Sequence, residues 1–146
     1  METVPFFDRW LMRLEIVPAS HTDHAYRDGA ARLSEACDTS GGEITGDQLK
    51  MLLSRGERTL IRMVEDDKTV GWGVIRIDQL PNMRVLFITD LVAPRIGFER
   101  FFGELKKMAY ALGCSEIRCA AKQAQERLYK MKCGFEPVYQ IMRVKI

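Results

Sequence analysis

Leu86-Phe87-Ile88-Thr89-Asp90-Leu91-Val92-Ala93-Pro94 reads as the body of a strand running from about Arg84 to Val92. Its run Val85-Leu86-Phe87-Ile88 is apolar at successive positions. Both faces therefore need cover, which places the strand in the middle of a sheet. A glycine-containing turn, Pro94-Arg95-Ile96-Gly97, leads into a helix predicted from about Ile96 to Leu112. That helix carries Phe98, Phe101, Phe102, Leu105, Met108, Ala109 and Leu112 on one broad apolar stripe, with Glu99, Glu104, Lys106 and Lys107 outside it. Gly113 is the expected residue just past its end. Ser115 to Ala121 alternates Ile117, Cys119 and Ala121 as a strand. Ala124 to Lys132 is a helix stopped by Gly134, and Val138 to Ile146 is a closing strand or hairpin.

Upstream, Trp10 to Val17 alternates as a half-buried first strand. A helix is predicted from about Asp23 to Cys37, with Tyr26, Ala30, Leu33 and Cys37 on one face, before a loop at Asp38-Thr39-Ser40-Gly41-Gly42. Thr45-Gly46-Asp47-Gln48 matches a capping box and opens a helix over residues 46 to 55, ended by Arg55-Gly56. Strands at Thr59 to Glu65 and Val70 to Ile77 flank a hairpin turn at Asp66-Asp67-Lys68. Gly71 and Gly73 straddle Trp72, and glycine inside a strand permits close approach of a ligand or another backbone. The order β-α-α-β-β-β-α-β-α-β describes an α/β (α+β) chain: a mixed sheet of six to seven strands with helices on both faces.

The 146 residues suit a single domain spanning 1–146, and 47% hydrophobic content places the chain among folded globules. No apolar run reaches the roughly 18 residues of a membrane span, and the N-terminal residues lack a secretory pattern. A cytoplasmic protein is expected. The net charge of +2 is unevenly spread. Residues 95 to 146 hold 11 Lys and Arg against 5 Asp and Glu, whereas residues 1 to 94 hold 11 against 15. The basic half suits a polyanion, coenzyme A or nucleic acid, or simply solvated helix faces. Cys37, Cys114, Cys119 and Cys133 form no CxxC pair and read as buried free thiols. His21-Thr22-Asp23-His24 is read as a helix start rather than a metal site. Walker, G-x-S-x-G and H-E-x-x-H motifs are absent from the sequence, and no metal is expected.

Three motifs in order resemble the acyl-CoA-binding core of the GNAT-type N-acetyltransferases. Val70-Gly71-Trp72-Gly73-Val74-Ile75 is similar to that family's third strand, and Leu91-Val92-Ala93-Pro94 to the end of its fourth. Leu128-Tyr129 followed by Cys133-Gly134-Phe135 resembles its L-Y-x-x-x-G-F ending. The resemblance covers about residues 59 to 137 and implies a GNAT-like sheet using acetyl-CoA as co-substrate. It implies a bulge that splays the fourth strand from the fifth, where the backbone amide of Leu91, of Val92 or of both meets the thioester carbonyl. It implies pyrophosphate binding by Arg95, Ile96, Gly97 and Phe98, where backbone N–H groups open a helix. This turn is about five residues shorter than the family's, and a large side chain replaces its second small residue. Tyr129 matches the tyrosine that protonates the departing thiolate. Lys122 stands where an asparagine is often found. Asp90, near the expected bulge, and then Glu65 are the candidate general bases. The same residues also fit an ordinary core strand, a strand-to-helix connection, a packing tyrosine and a capping carboxylate.

Two functions are implied by the resemblance. One is an N-acyltransferase moving an acetyl group to a primary amine, on a small molecule or peptide, by direct attack. The other is a catalytically inactive structural or interaction protein on the same fold, of a kind that also occurs in bacteriophages. Nucleic-acid binding by the basic half ranks below both, and a monomer or homodimer is expected.

Overall fold

The structure, a computed structural model, describes residues 12–38, 41–93 and 98–146. One mixed sheet holds β1 (Arg13–Val17), β2 (Thr59–Glu65), β3 (Lys68–Gln79), β4 (Arg84–Val92) and β5 (Glu116–Cys119), in that spatial order. The first three pairings are antiparallel and β4–β5 is parallel. A parallel pair needs a crossover, and α4 (Phe98–Ala111) provides it. The mixed sheet between helical layers agrees with expectation, but it has five strands among the described residues rather than six or seven. Residues 138–146, expected to close the sheet, form no strand and join no ladder. Period-two patterning qualifies a segment as a strand; pairing also needs an edge within reach.

The predicted first long helix is instead three short pieces: α1 (Thr22–Arg27), a 3-10 turn (Ala30–Arg32) and α2 (Leu33–Cys37). Gly29 interrupts it at φ +123°, a conformation that L side chains rarely adopt. The helix α3 (Gly46–Ser54) starts as predicted. The Gln48 amide donates to Thr45 Oγ1 at 3.2 Å, and the Thr45 amide donates to Gln48 Oε1 at 3.0 Å. At the β2–β3 hairpin, Asp66 and Asp67 both have positive φ, at 52° and 59°. That is the two-residue turn whose twist matches the strands it joins.

Strand alternation explains the two cores. Leu60, Trp72 and Val74 meet Ala25, Leu33, Cys37, Leu49 and Leu53 from the first three helices on one face. Ile61, Ile75, Leu86 and Ile88 meet Phe102, Leu105 and Ala109 of α4 on the other. Each such large side chain contributes about 1.5–3 kcal/mol when taken fully out of water. The last helix, α5 (Gln123–Cys133), ends at Gly134 in the left-handed region. Phe135 beyond it packs against Phe102, ring centroids 5.2 Å apart. No helix among the described residues is long and apolar enough to cross a membrane.

Candidate functional site

The site is built where β4 changes register. Val74 pairs with Asp90 and the next residue, Ile75, pairs with Ile88, leaving Thr89 as the extra residue of a β-bulge. The bulge re-aims the rest of the strand. Ile88 packs on the α4 face. Simple alternation would turn Asp90 into the same apolar layer. With one residue inserted, Asp90 faces the first helices, Leu91 joins the α4 layer and Val92 packs with the α1–α3 core.

The Asp90 side chain is only 5% exposed, so its partners matter. Arg58, just ahead of β2, places Nη1 3.6 Å from Asp90 Oδ2. Thr89 Oγ1 donates to Oδ2 at 2.8 Å, and Cys37 Sγ donates to Oδ1 at 3.7 Å. Burial and then the Asp90 charge push the Cys37 thiol up to about 11. Burial first, then Cys37 and Asp90, push the Tyr26 phenol up to about 12. The Tyr26 hydroxyl is buried and has no hydrogen-bond partner among the described residues. Tyr26, Cys37, Arg58, Thr89 and Asp90 thus form a polar cluster between α1, α2 and the bulge.

The other side of β4 opens. Its ladder with β5 runs from Val85↔Glu116 to Ile88↔Cys119 and stops there. Thr89 to Val92 continue with β3 on one edge and no described strand on the other. Tyr129, on α5, lies beside the end of β5. It is half-buried and its ring sits 5.7 Å from that of Phe135. Burial, then the neighbouring Cys119 and Cys133, raises its phenol above the ordinary value.

The structure sets Asp90, Leu91 and Val92 on β4 beyond the last β4–β5 pair, with the Asp90 side chain toward the first helices, and Tyr129 on Phe135. It does not bring Glu65 there. Asp90 lies in the row Asp90↔Val74↔Leu60, whereas Glu65 pairs with Lys68 at the hairpin. That is five residues further along β2, about 17 Å at the usual strand rise. Arg95, Ile96 and Gly97 lie outside the described residues, and Phe98 is the first residue of α4. Among the described residues no three His, Cys, Asp or Glu side chains are grouped to hold a metal ion.

Sequence reasoning missed Tyr26, Cys37, Arg58 and Thr89 as parts of one cluster, because their contacts span up to 53 positions of chain. One local signal existed. Leu86 and Ile88 are spaced by two and Leu91 by three, the phase slip that a bulge absorbs.

No family model matches the chain, and no curated protein matches it in sequence. Its fold is nevertheless shared with solved acetyltransferases. A possible acetyltransferase from Clostridium difficile 630 superposes with a TM-score of 0.67 at 15% identity, over 93% of this chain and 98% of that one. An aminoglycoside N-acetyltransferase in complex with CoA gives 0.63 at 14%, over 92% and 94%. Glucosamine-6-phosphate N-acetyltransferase from Arabidopsis thaliana gives 0.60 at 17%, over 92% and 97%. The architecture is thus the GNAT fold along nearly its whole length.

Proposed function

We propose that this chain is a GNAT-type N-acyltransferase that moves an acetyl group from acetyl-CoA to a primary amine by direct attack. The observation that carries the reading is the bulge at Thr89 together with the end of the β4–β5 ladder at Ile88↔Cys119. An acyl-CoA lying in that opening supplies an activated thioester. The residues present suit it: strand backbone beyond the bulge, a tyrosine on α5, the helix that follows β5, and a helix start six positions after β4 ends.

In the reaction a C–N bond forms as the C–S bond breaks. One proton must leave nitrogen and one must reach sulfur. A backbone amide at Leu91 or Val92 receives the charge developing on the thioester oxygen, an arrangement needing no reorganisation. Tyr129 gives its phenolic proton to the departing sulfur. Asp90, on the α1–α3 side, takes the proton from the amine. Arg58 and Thr89 hold that carboxylate in place. Glu65 is too far along β2 to act directly. Arg95, Ile96, Gly97 and Phe98 lead into the N-terminus of α4, which suits the pyrophosphate. Two of the compared structures are named for amine acceptors, an aminoglycoside and an amino-sugar phosphate. That supports an amine acceptor here and leaves its class open.

Thermal unfolding with acetyl-CoA, coenzyme A and ATP tests the reading. At about 100 times its dissociation constant a ligand adds about 2.7 kcal/mol, or roughly 5–10 °C for a chain of this size. A rise with acetyl-CoA and coenzyme A but not ATP supports it. Absence of any rise at millimolar ligand refutes it in favour of a non-catalytic module, which the short β4–α4 connection also suits.

A further inference from the structure

In the polar cluster around Asp90, one buried atom has nothing to bond. Thr89 Oγ1 donates to Asp90 Oδ2 at 2.8 Å, Cys37 Sγ donates to Oδ1 at 3.7 Å, and the Arg58 guanidinium faces the same carboxylate. The Tyr26 hydroxyl, on a side chain packed against the same core as Cys37, is buried with no hydrogen-bond partner among the described residues. Folded chains rarely bury a hydroxyl this way, and such a group is completed by a partner from outside the chain. Arg62 Nε is buried and unbonded too, but its guanidinium is already held by Asp28 at 3.5 Å and lies 5.0 Å from the Trp72 ring.

Tyr26 also borders an open groove of about 520 Å³ beside α1 and α3, lined by Asp23, Arg27, Ala31 and Lys50 as well. A volume of this order suits a small molecule. Lys50 Nζ is tied to Asp23 at 2.9 Å and sits 5.4 Å from the Tyr26 ring centroid, which braces the ring. Tyr26 therefore belongs to both places. Its ring lines the groove, and its hydroxyl lies within the field of Cys37 and Asp90.

We propose, resting on the acyl-transfer reading, that Tyr26 receives the acceptor: a small-molecule primary amine lies in this groove, and its nitrogen donates one hydrogen bond to Tyr26 Oη and gives its other proton to Asp90. The N–H held by Tyr26 is the one that stays in the amide product, so the proton balance of the transfer is unchanged. Held at two points, the nitrogen keeps its lone pair free for the thioester carbon. Burial first, then Cys37 and Asp90, keep the phenol protonated up to about 12, so it meets the amine as a neutral hydroxyl.

Tyr26→Phe removes the hydroxyl and keeps the ring. Because that hydroxyl is unpaired in the free protein, the variant should melt at the wild-type midpoint or about 2–5 °C above it. Acetyl transfer, read as released thiol, is measured with sisomicin, glucosamine 6-phosphate, spermidine and L-lysine as probes. For the best of these, the acceptor kcat/KM should fall by about 10- to 100-fold in Tyr26→Phe, while the midpoint rise given by acetyl-CoA stays as in wild type. A merely structural tyrosine would lower the midpoint and weaken both substrates alike. Unchanged acceptor kinetics, or a lower midpoint, overturns the proposal. A wild type that binds acetyl-CoA yet acetylates none of the four probes overturns it too and leaves the cofactor reading intact. A wild type that gains no stability from acetyl-CoA overturns the acyl-transfer reading, and the role of Tyr26 with it.

Discussion

Alanine at Gly71 and alanine at Gly73 should move stability in opposite directions, although both glycines lie in β3 with Trp72 between them. A Cβ at Gly71 would stand 2.7 Å from the Val92 carbonyl oxygen, 2.9 Å from Met63 Sδ and 3.3 Å from Ala93 Cα. The methionine can swing away, but the carbonyl belongs to β4 beyond the bulge and moves only with its strand. Relief needs a backbone shift of about half an ångström, and overpacking of this kind costs about 1–3 kcal/mol. At Gly73 the new Cβ would lie 3.5 Å from Met63 Cε, 3.6 Å from Leu91 Cδ1 and 3.9 Å from the Asp90 carbonyl oxygen, all ordinary contacts. The position also borders an apolar cavity of about 20 Å³ lined by Leu14, Met63, Leu91 and Phe101. Its φ is not positive. Alanine there restricts the unfolded chain, worth about 0.4–1 kcal/mol, and fills part of the cavity. Urea unfolding of the three proteins reads the difference directly. Gly71→Ala should lose about 2 kcal/mol and Gly73→Ala gain about 1 kcal/mol, a spread of roughly 6–12 °C in midpoint. Equal stability of Gly71→Ala and wild type, or loss in both variants, would refute the claim that close β3–β4 backbone approach is confined to Gly71.

Tyr129→Phe should lower acetyl transfer while leaving coenzyme A affinity nearly unchanged; undiminished turnover removes the phenol from the mechanism. Arg58→Met should cost about 2–3 kcal/mol, because it leaves the Asp90 carboxylate buried without its cation. Chemical denaturation should show part of that loss restored in the Arg58→Met/Asp90→Asn double variant, and a stable single variant would contradict the role given to Arg58. Alkaline pH should destabilise the fold. The Cys37 thiol keeps its proton to about 11 when folded, whereas the unfolded chain releases it near 9.0. Native protein therefore holds more protons in that window, and the thiol's contribution is full below pH 9 and lost as pH rises to 11. Its slope is about 1.4 kcal/mol per pH unit, and Cys37→Ala should remove that part of the pH dependence.

Periodicity and turn chemistry were enough for every element whose stability is local. The stripe on α4 from Phe101 to Ala109, the Thr45–Gln48 box, the Asp66-Asp67 hairpin and the stops at Gly113 and Gly134 all depend on residues within a few positions of one another. The apolar run from Val85 to Ile88 likewise announced a strand covered on both faces, and with the later motifs it announced the fold. Tertiary packing settled the rest. Gly29 divided one amphipathic stretch into two helices, and residues 138–146 kept a strand pattern without acquiring a ladder. The two glycines around Trp72 look alike in sequence, yet only at Gly71 does the neighbouring strand put a carbonyl 2.7 Å from where a Cβ would stand. Asp90 could be named from sequence as a polar residue in an apolar strand. Its orientation came from the bulge at Thr89, and its charge partner from Arg58, 32 positions earlier. Backbone propensity acts over a turn of chain, whereas a buried carboxylate is stabilised by whatever the fold places within about 4 Å of it, at any distance along the sequence.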